Sequence, residues 1–221
     1  MDWQWNSVVP YMPELLQGLV LTLEITIASV ALGFMFGIPV ALSRMSSFWP
    51  IRVLATGYVE FFRGTPVLIQ LVWVYYALPI VTGLQIADVP SAIAALSLNA
   101  AAFYGETYRS GLQSVPKEQR ESAYVLDLSA MQTLIHVTLP QAMRAMIPVF
   151  VSLSVSLFKE SSLVSTLGIL DLMYQARLIA TNTYRPFEVL TTAAAMYFAV
   201  AYPVTMLAHW LENYLRSKQQ R

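Results

Sequence analysis

"ITIASVALGFMFGIPVALS", Ile25 to Ser43, runs without one ionisable side chain. A bilayer core is crossed by about 20 mostly apolar helical residues. With the upstream "LLQGLVLTLE" the stretch meets that need, and it sets the class of the whole chain. Working outward, four more apolar runs appear. Gly64 to Ala87 is uncharged and extends back toward Ala55, and Val89 to Gly105 follows a turn at Asp88 and Pro90. Ala145 to Phe158 reaches back to Pro140 if Arg144 snorkels to the interface, and Val189 to Leu211 is the last. The expectation is an all-α membrane protein forming a single domain over residues 1–221. About five transmembrane helices are expected, near 15–43, 55–80, 89–109, 140–159 and 189–212, with a polar cytoplasmic hairpin at 110–139.

Composition agrees. Hydrophobic residues make up 57% of the 221 and charged residues 12%, about half the share usual in soluble domains. Net charge is zero and no basic run with interleaved aromatics occurs, so nucleic acid is not an expected partner. The absence of cysteine excludes disulfides, thiolate metal sites and a cysteine nucleophile. The opening "MDWQWNSVVPYMPELL" lacks the basic region of a cleaved signal peptide, so the first run reads as a retained span. Trp3, Trp5, Trp49, Trp73, Tyr75 and Tyr76 read as interfacial anchors.

Lys and Arg in short loops orient the spans. Arg44, Arg52, Arg109, Lys117, Arg120, Arg144, Arg216, Lys218 and Arg221 fall on one side; Lys159, Arg177 and Arg185 fall on the other. Nine against three predicts a periplasmic N-terminus, a cytoplasmic C-terminus and a cytoplasmic hairpin between the third and fourth spans. No internal repeat stands out. No G-x-x-x-x-G-K-[ST], H-E-x-x-H or G-x-S-x-G motif occurs, and His136 and His209 lie far apart in sequence.

The hairpin contains "ESAYVLDLSAMQTLIHVTLPQAM", Glu121 to Met143. Pro116 suits a first helical turn with Ser114 before it as N-cap. A break is expected near Asp127 and Leu128, because Asp tolerates turn conformations. Ser129 then caps a second short helix through His136, and Pro140 begins the fourth span. Ala123, Leu126, Ala130, Leu134 and Val137 form a modest apolar stripe. Such a hairpin suits docking into a groove on another protein.

This stretch resembles the signature loop of bacterial ATP-binding-cassette importer permeases, E-A-A, three residues, G, nine residues, I-x-L-P. Here it reads Glu121-Ser122-Ala123, Asp127 at the glycine position, then Val137-Thr138-Leu139-Pro140 with every spacing kept. "YVEFFRGTPVLIQL" (Tyr58 to Leu71), "SLNAAAFYGETYRSGLQSVPKEQRESA" and "LFKESSLVSTLGILDL" (Leu157 to Leu172) resemble segments of the polar amino-acid permeases of the histidine, glutamine, glutamate and arginine type. The resemblance covers nearly the whole chain. It implies an inner-membrane subunit that pairs with a second permease chain, identical or related, and receives a polar amino acid from a periplasmic solute-binding protein. Two cytoplasmic ATP-binding subunits, which hold ATP and Mg, would dock on the hairpin; no cofactor is expected in this chain. Coupling is thereby placed on Glu121, Ser122, Ala123, Asp127, Val137, Leu139 and Pro140.

Charges inside spans are costly and therefore candidates for function. Glu60 and Arg63, spaced i,i+3, read as a structural ion pair near the interface; Glu106 and Arg109 share that spacing. Glu24, on the first span, either faces water or a bundle partner or touches solute. Asn99 among Ala100, Ala101 and Ala102 leaves room beside a donor and an acceptor. Lys159, Glu160, Ser161 and Ser162 carry both charge signs and hydroxyls, chemistry that complements an amino acid unless Lys159 and Glu160 neutralise each other. The candidate substrate path is therefore Asn99, Lys159, Glu160, Ser161, Ser162 and Glu24. Gly33 and Gly37 form a G-x-x-x-G packing face. The stretch "LGILDLMYQARLIATNTYRPFE" is expected at the outer surface. An ion-coupled carrier or channel using Glu24, Glu60 and Glu106 is the alternative, and it would need no docking hairpin; a membrane enzyme lacks visible catalytic groups.

Overall fold

The computed structural model describes residues 5–217, with only the backbone of Arg120 and of residues 215–217. Trp3, Lys218 and Arg221, and the side chains of Arg120 and Arg216, lie outside this description. Two 3₁₀ turns, Trp5–Ser7 and Val9–Tyr11, lead into α1, Met12–Met45. At 34 residues α1 is about 51 Å long, more than enough to cross a bilayer. α2 is Trp49–Gly64. After a break at Thr65 and Pro66 a second helix runs Val67–Thr82, made of α3 (Val67–Val72), a π turn (Trp73–Ala77) and α4 (Leu78–Thr82). α5 is Asp88–Gln113. The hairpin follows as α6 (Lys117–Val125) and α7 (Ala130–Thr133), joined through a π turn (Leu134–Thr138) to α8 (Leu139–Glu160). A 3₁₀ segment Ser161–Leu167 precedes α9 (Leu172–Thr183), and α10 is Pro186–Ser217.

Three helical stretches are long and apolar enough to cross a membrane: Trp5–Met45, Ala130–Leu167 and Pro186–Tyr214. The expected span over 55–80 is not one rod. Its two halves meet at 110°, and taken together they form a fourth crossing candidate. Pro66 causes the break, since it lacks an N–H and its neighbour is pushed out of the helical region; Thr65 has ψ 146°. The expected third span, α5, has the length but falls short in apolarity. Its position explains that: it is the central helix, with Ser91, Ser97, Asn99 and Thr107 buried against protein rather than lipid.

Small residues make this centre possible. A methyl on Gly33 would lie 2.6 Å from Ala100 Cβ, and one on Gly37 3.0 Å from Tyr104 Cβ. The G-x-x-x-G face of α1 thus lies directly on α5, where Phe34 stacks on Tyr104 with centroids 4.4 Å apart. The opposite face of α1 exposes Leu16, Val20, Ile27, Met35, Phe36, Ile38 and Leu42, the surface expected toward lipid. Both π turns come just before a helix whose second residue is proline, Pro79 or Pro140. A proline ring collides with the carbonyl four residues earlier, and one wider turn lets the helix pass that point.

A second core joins α9 to the start of α1 and to α10 through Leu15, Leu172, Ala176, Ile179, Val189 and Ala193. Asp171 caps α9, accepting from Tyr174 N–H at 2.9 Å. In the hairpin, Ser129 caps α7 as expected, and it forms a full capping box with Gln132. Ser114 plays no such part. Pro116 itself occupies the cap position of α6, and Ser114 Oγ donates to Gly111 O at 2.8 Å.

Candidate functional site

Asn99, Ala100, Phe103 and Tyr104 of α5 and Leu153, Ser156, Leu157 and Glu160 of α8 line a cavity of about 170 Å³. Two of the expected path residues, Asn99 and Glu160, thus meet across one space. Lys159, the neighbour of Glu160 on α8, does not line this cavity. Lys159 and Ser162 instead line a different space, together with Met173, Leu190, Ala193, Ala194 and Tyr197. Ser161 is fully buried; its hydroxyl donates to Phe158 O at 2.8 Å and accepts from Thr26 Oγ1 at 3.3 Å, which ties α8 to α1. Glu24 is exposed and lines neither cavity. The wall opposite Asn99 is steadied by Tyr104 Oη and Ser154 Oγ, 2.9 Å apart, and by the edge-on contact of Tyr104 with Phe150.

Asn99 has structural duties as well. Its Nδ2 donates to Gln70 Oε1 at 2.9 Å and to Phe62 O at 3.3 Å. Gln70 Nε2 in turn lies 2.9 Å from Phe62 O, 3.1 Å from Thr65 O and 2.8 Å from Thr65 Oγ1. These two amides satisfy carbonyls that the broken helix leaves without partners, where each unpaired carbonyl in a dry interior costs several kcal/mol. Gln70 escaped notice in the sequence, although an amide in an uncharged run four residues after a proline carried the signal.

Glu60 pairs with Arg44 of α1 at 3.8 Å, not with Arg63 as the spacing suggested. Arg63 lies over the Phe103 ring, 5.5 Å from its centroid. The stronger ionic cluster is centred on Glu106, which bonds Arg44 and, at 2.6 Å, Arg109. Arg44 therefore joins α1, α2 and α5, a link that i,i+3 spacing within one helix does not reveal.

In the hairpin, Asp127 has φ +56°, the left-handed conformation that glycine adopts most easily. Leu128 N–H bonds Ala123 O at 3.1 Å and Asp127 N–H bonds Tyr124 O at 3.0 Å, the two bonds of a Schellman motif. Ala123 is buried, Glu121 and Ser122 are exposed, Val137 is half-buried, and Leu139 and Pro140 are exposed at the start of α8. Tyr124, Val125, Leu126, Met131 and Ile135 are exposed apolar side chains on the two sides of the bend. Among the described residues no cluster of His, Asp or Glu suited to a metal occurs.

The model of the family described as binding-protein-dependent transport system inner membrane component matches residues 30–220. The chain belongs to this family. In it the ATPase is a separate subunit, so the chain is a membrane permease and not an enzyme. It is similar to the arginine transport system permease protein ArtQ of Bacillus subtilis (strain 168), 34% identical over 217 residues that cover 98% of this chain and 99% of ArtQ. It is similar as well to the glutamate/aspartate import permease protein GltK of Escherichia coli, 34% identical over 219 residues covering 96% and 98%. A crystal structure of an amino acid ABC transporter with histidines superimposes with a TM-score of 0.90 at 34% identity, covering 97% of this chain and 100% of that one. The inward-facing MetNI methionine ABC transporter shares the fold, with a TM-score of 0.77 at 22% identity.

Proposed function

We propose that the chain is the permease subunit of an ATP-driven importer and forms, with a second permease chain, the path for a polar amino acid. The observation that carries this reading is a connectivity. α5 and α8 are the two walls of the Asn99–Glu160 cavity, and the hairpin is the chain segment that joins them. A force on the hairpin acts on both walls at once.

The chemistry of the cavity suits a zwitterion. Glu160 supplies a half-buried carboxylate for an ammonium, and Asn99 Oδ1 and the Ser156 hydroxyl add uncharged acceptors and a donor. The exposed apolar side chains from Tyr124 to Ile135 on the hairpin form the docking face for an ATP-binding subunit, one of two in the assembly, each holding ATP and Mg. Glu121, Ser122, Ala123, Asp127, Val137, Leu139 and Pro140 shape that coupling element. A periplasmic binding protein delivers the solute. The N-terminus is periplasmic and the C-terminus cytoplasmic, which places the hairpin beside the ATPases. The arginine, glutamate/aspartate and histidine named for the relatives fit the same solute class.

The test is uptake into proteoliposomes holding both permease chains, the ATPase and the binding protein, with ATP enclosed and Glu121→Lys run in parallel. ATP-dependent uptake of one amino-acid group that falls to background in the variant, with assembly intact, supports the reading. Uptake that ignores ATP and follows an ion gradient overturns it in favour of a carrier.

A further inference from the structure

Gln70 lies outside the cavity, yet it decides which way the amide of Asn99 faces. The two carbonyls at the helix break, Phe62 O and Thr65 O, can only accept hydrogen bonds. Gln70 must therefore turn its Nε2 toward them, at 2.9 and 3.1 Å. Its Oε1 is left pointing at Asn99, 2.9 Å from Nδ2. That oxygen can only accept, so Asn99 must donate, and its second contact, to Phe62 O at 3.3 Å, demands a donor too. The orientation of both amides follows from the carbonyls alone. Nδ2 of Asn99 is committed to the bend, and among the described residues both hydrogen bonds of the Asn99 side chain are made by Nδ2, which leaves Oδ1 for the cavity that Asn99 lines.

We infer that Gln70 is a positioning residue for solute recognition: it locks Asn99 so that only an acceptor, Oδ1, faces the bound molecule. With Glu160 as the only carboxylate, and no cationic side chain, among the described residues lining that cavity, the pair then presents acceptors alone from Asn99 and Glu160, and the group they select is an ammonium. Recognition and the 110° bend between α2 and α3 share the same two amides, so a solute that pulls on Asn99 Oδ1 pulls on the end of α2. This inference rests on the Asn99–Glu160 cavity being the solute site.

The experiment measures solute binding directly, because uptake in a binding-protein system also reports the delivery step. The complete permease–ATPase complex in nanodiscs, without binding protein, is titrated with radiolabelled L-arginine, L-glutamate, L-glutamine and L-histidine, and the tightest of these is carried forward. Asn99→Ala removes the acceptor and raises Kd about tenfold or more, the scale of a hydrogen bond to a charged group. Gln70→Met, of similar length but without polar atoms, frees Asn99 to rotate and raises Kd about tenfold. The double variant binds no more weakly than Asn99→Ala, because Gln70 acts through Asn99.

Gln70→Glu, held neutral in that dry interior, donates its O–H to Phe62 O or Thr65 O, keeps its carbonyl oxygen toward Asn99 Nδ2 and holds Kd within about threefold. A role confined to bracing the bend would act independently of Asn99 and add to Asn99→Ala in the double variant. If Gln70→Met does not assemble, Gln70→Asn serves, since it withdraws the acceptor by about one bond length. A rise with Asn99→Ala and none with Gln70→Met or Gln70→Asn, or additive effects in the double variant, overturns the positioning role and leaves the site standing. An unchanged Kd in Asn99→Ala overturns the site and with it this inference.

Discussion

Asp127 has φ +56°, so replacing it with glycine tests the local physics of the bend between α6 and α7. A left-handed conformation costs a residue with a Cβ about 1–2 kcal/mol, and Asp sits near the low end because its side chain tolerates turns. Glycine removes that cost but adds about 0.5–1 kcal/mol of freedom in the unfolded hairpin. Asp127 is exposed, so no packing is lost. The balance is a gain of at most about 0.5 kcal/mol in local stability for Asp127→Gly. Asp127→Val moves the other way by about 1–2 kcal/mol, since a β-branched residue is poorly accommodated at positive φ. Amide exchange read by mass spectrometry on the intact complex reports this directly. The Asp127 and Leu128 amides donate the two bonds that close the bend. Their exchange slows by at most about twofold in the glycine variant and speeds up about fivefold to thirtyfold in the valine variant, at 1.36 kcal/mol per tenfold. Faster exchange with glycine, or no change with valine, would refute the claim that this backbone conformation governs the hairpin.

Other expectations follow from packing and charge. Gly33→Leu forces α1 from α5 at Ala100 and lowers stability by about 1–3 kcal/mol, whereas Gly57→Leu, which has nothing within 4 Å of its Cβ, leaves the melting temperature of the complex nearly unchanged. Glu106→Gln weakens the junction of three helices and costs about 1–3 kcal/mol, while Glu60→Gln, an exposed partner 3.8 Å from Arg44, costs under about 0.5 kcal/mol; thermal unfolding of the two variants ranks them. Burial pushes the Asp171 carboxyl up to about 6 from 3.8, against the opposing hydrogen bonds of α9 N–H groups. Because the folded value is the higher one, this contribution to stability is complete below about pH 4 and is lost as pH rises through about 6, a change of about 3 kcal/mol. Asp171→Asn keeps a capping oxygen but has no such proton, so melting curves between pH 4 and 7 should lose this part of their slope; an unchanged slope would show that Asp171 does not titrate in that window.

Much of this molecule is legible in one dimension because lipid imposes a one-dimensional demand. Uncharged runs of about spanning length mark α1 and α10, a shorter one marks α8, and Ser129 announces the start of α7. Asp127 could be assigned to a break between two short helices because Asp tolerates turn conformations. Each of these signals is local: it depends on spacing along the chain and on backbone preferences of single residues.

Partners across space were not legible in that way. Spacing within one helix suggested Glu60 with Arg63, yet Arg44, sixteen residues away on another helix, lies beside Glu60 once α1 and α2 fold back together. Adjacent letters suggested that Lys159 and Glu160 act as one group, yet the helices packed on either side of α8 leave them in different cavities. The break at Pro66 was visible as a residue, but its 110° angle and the amides that satisfy it depend on α5 arriving with Asn99 at the right height. The sequence by itself determined that the chain lives in a membrane and where its helices begin and bend, since those follow from hydration and local sterics. Which polar groups meet was decided only by tertiary structure, because helix phase and close glycine contacts set the distances on which hydrogen bonds and ion pairs depend.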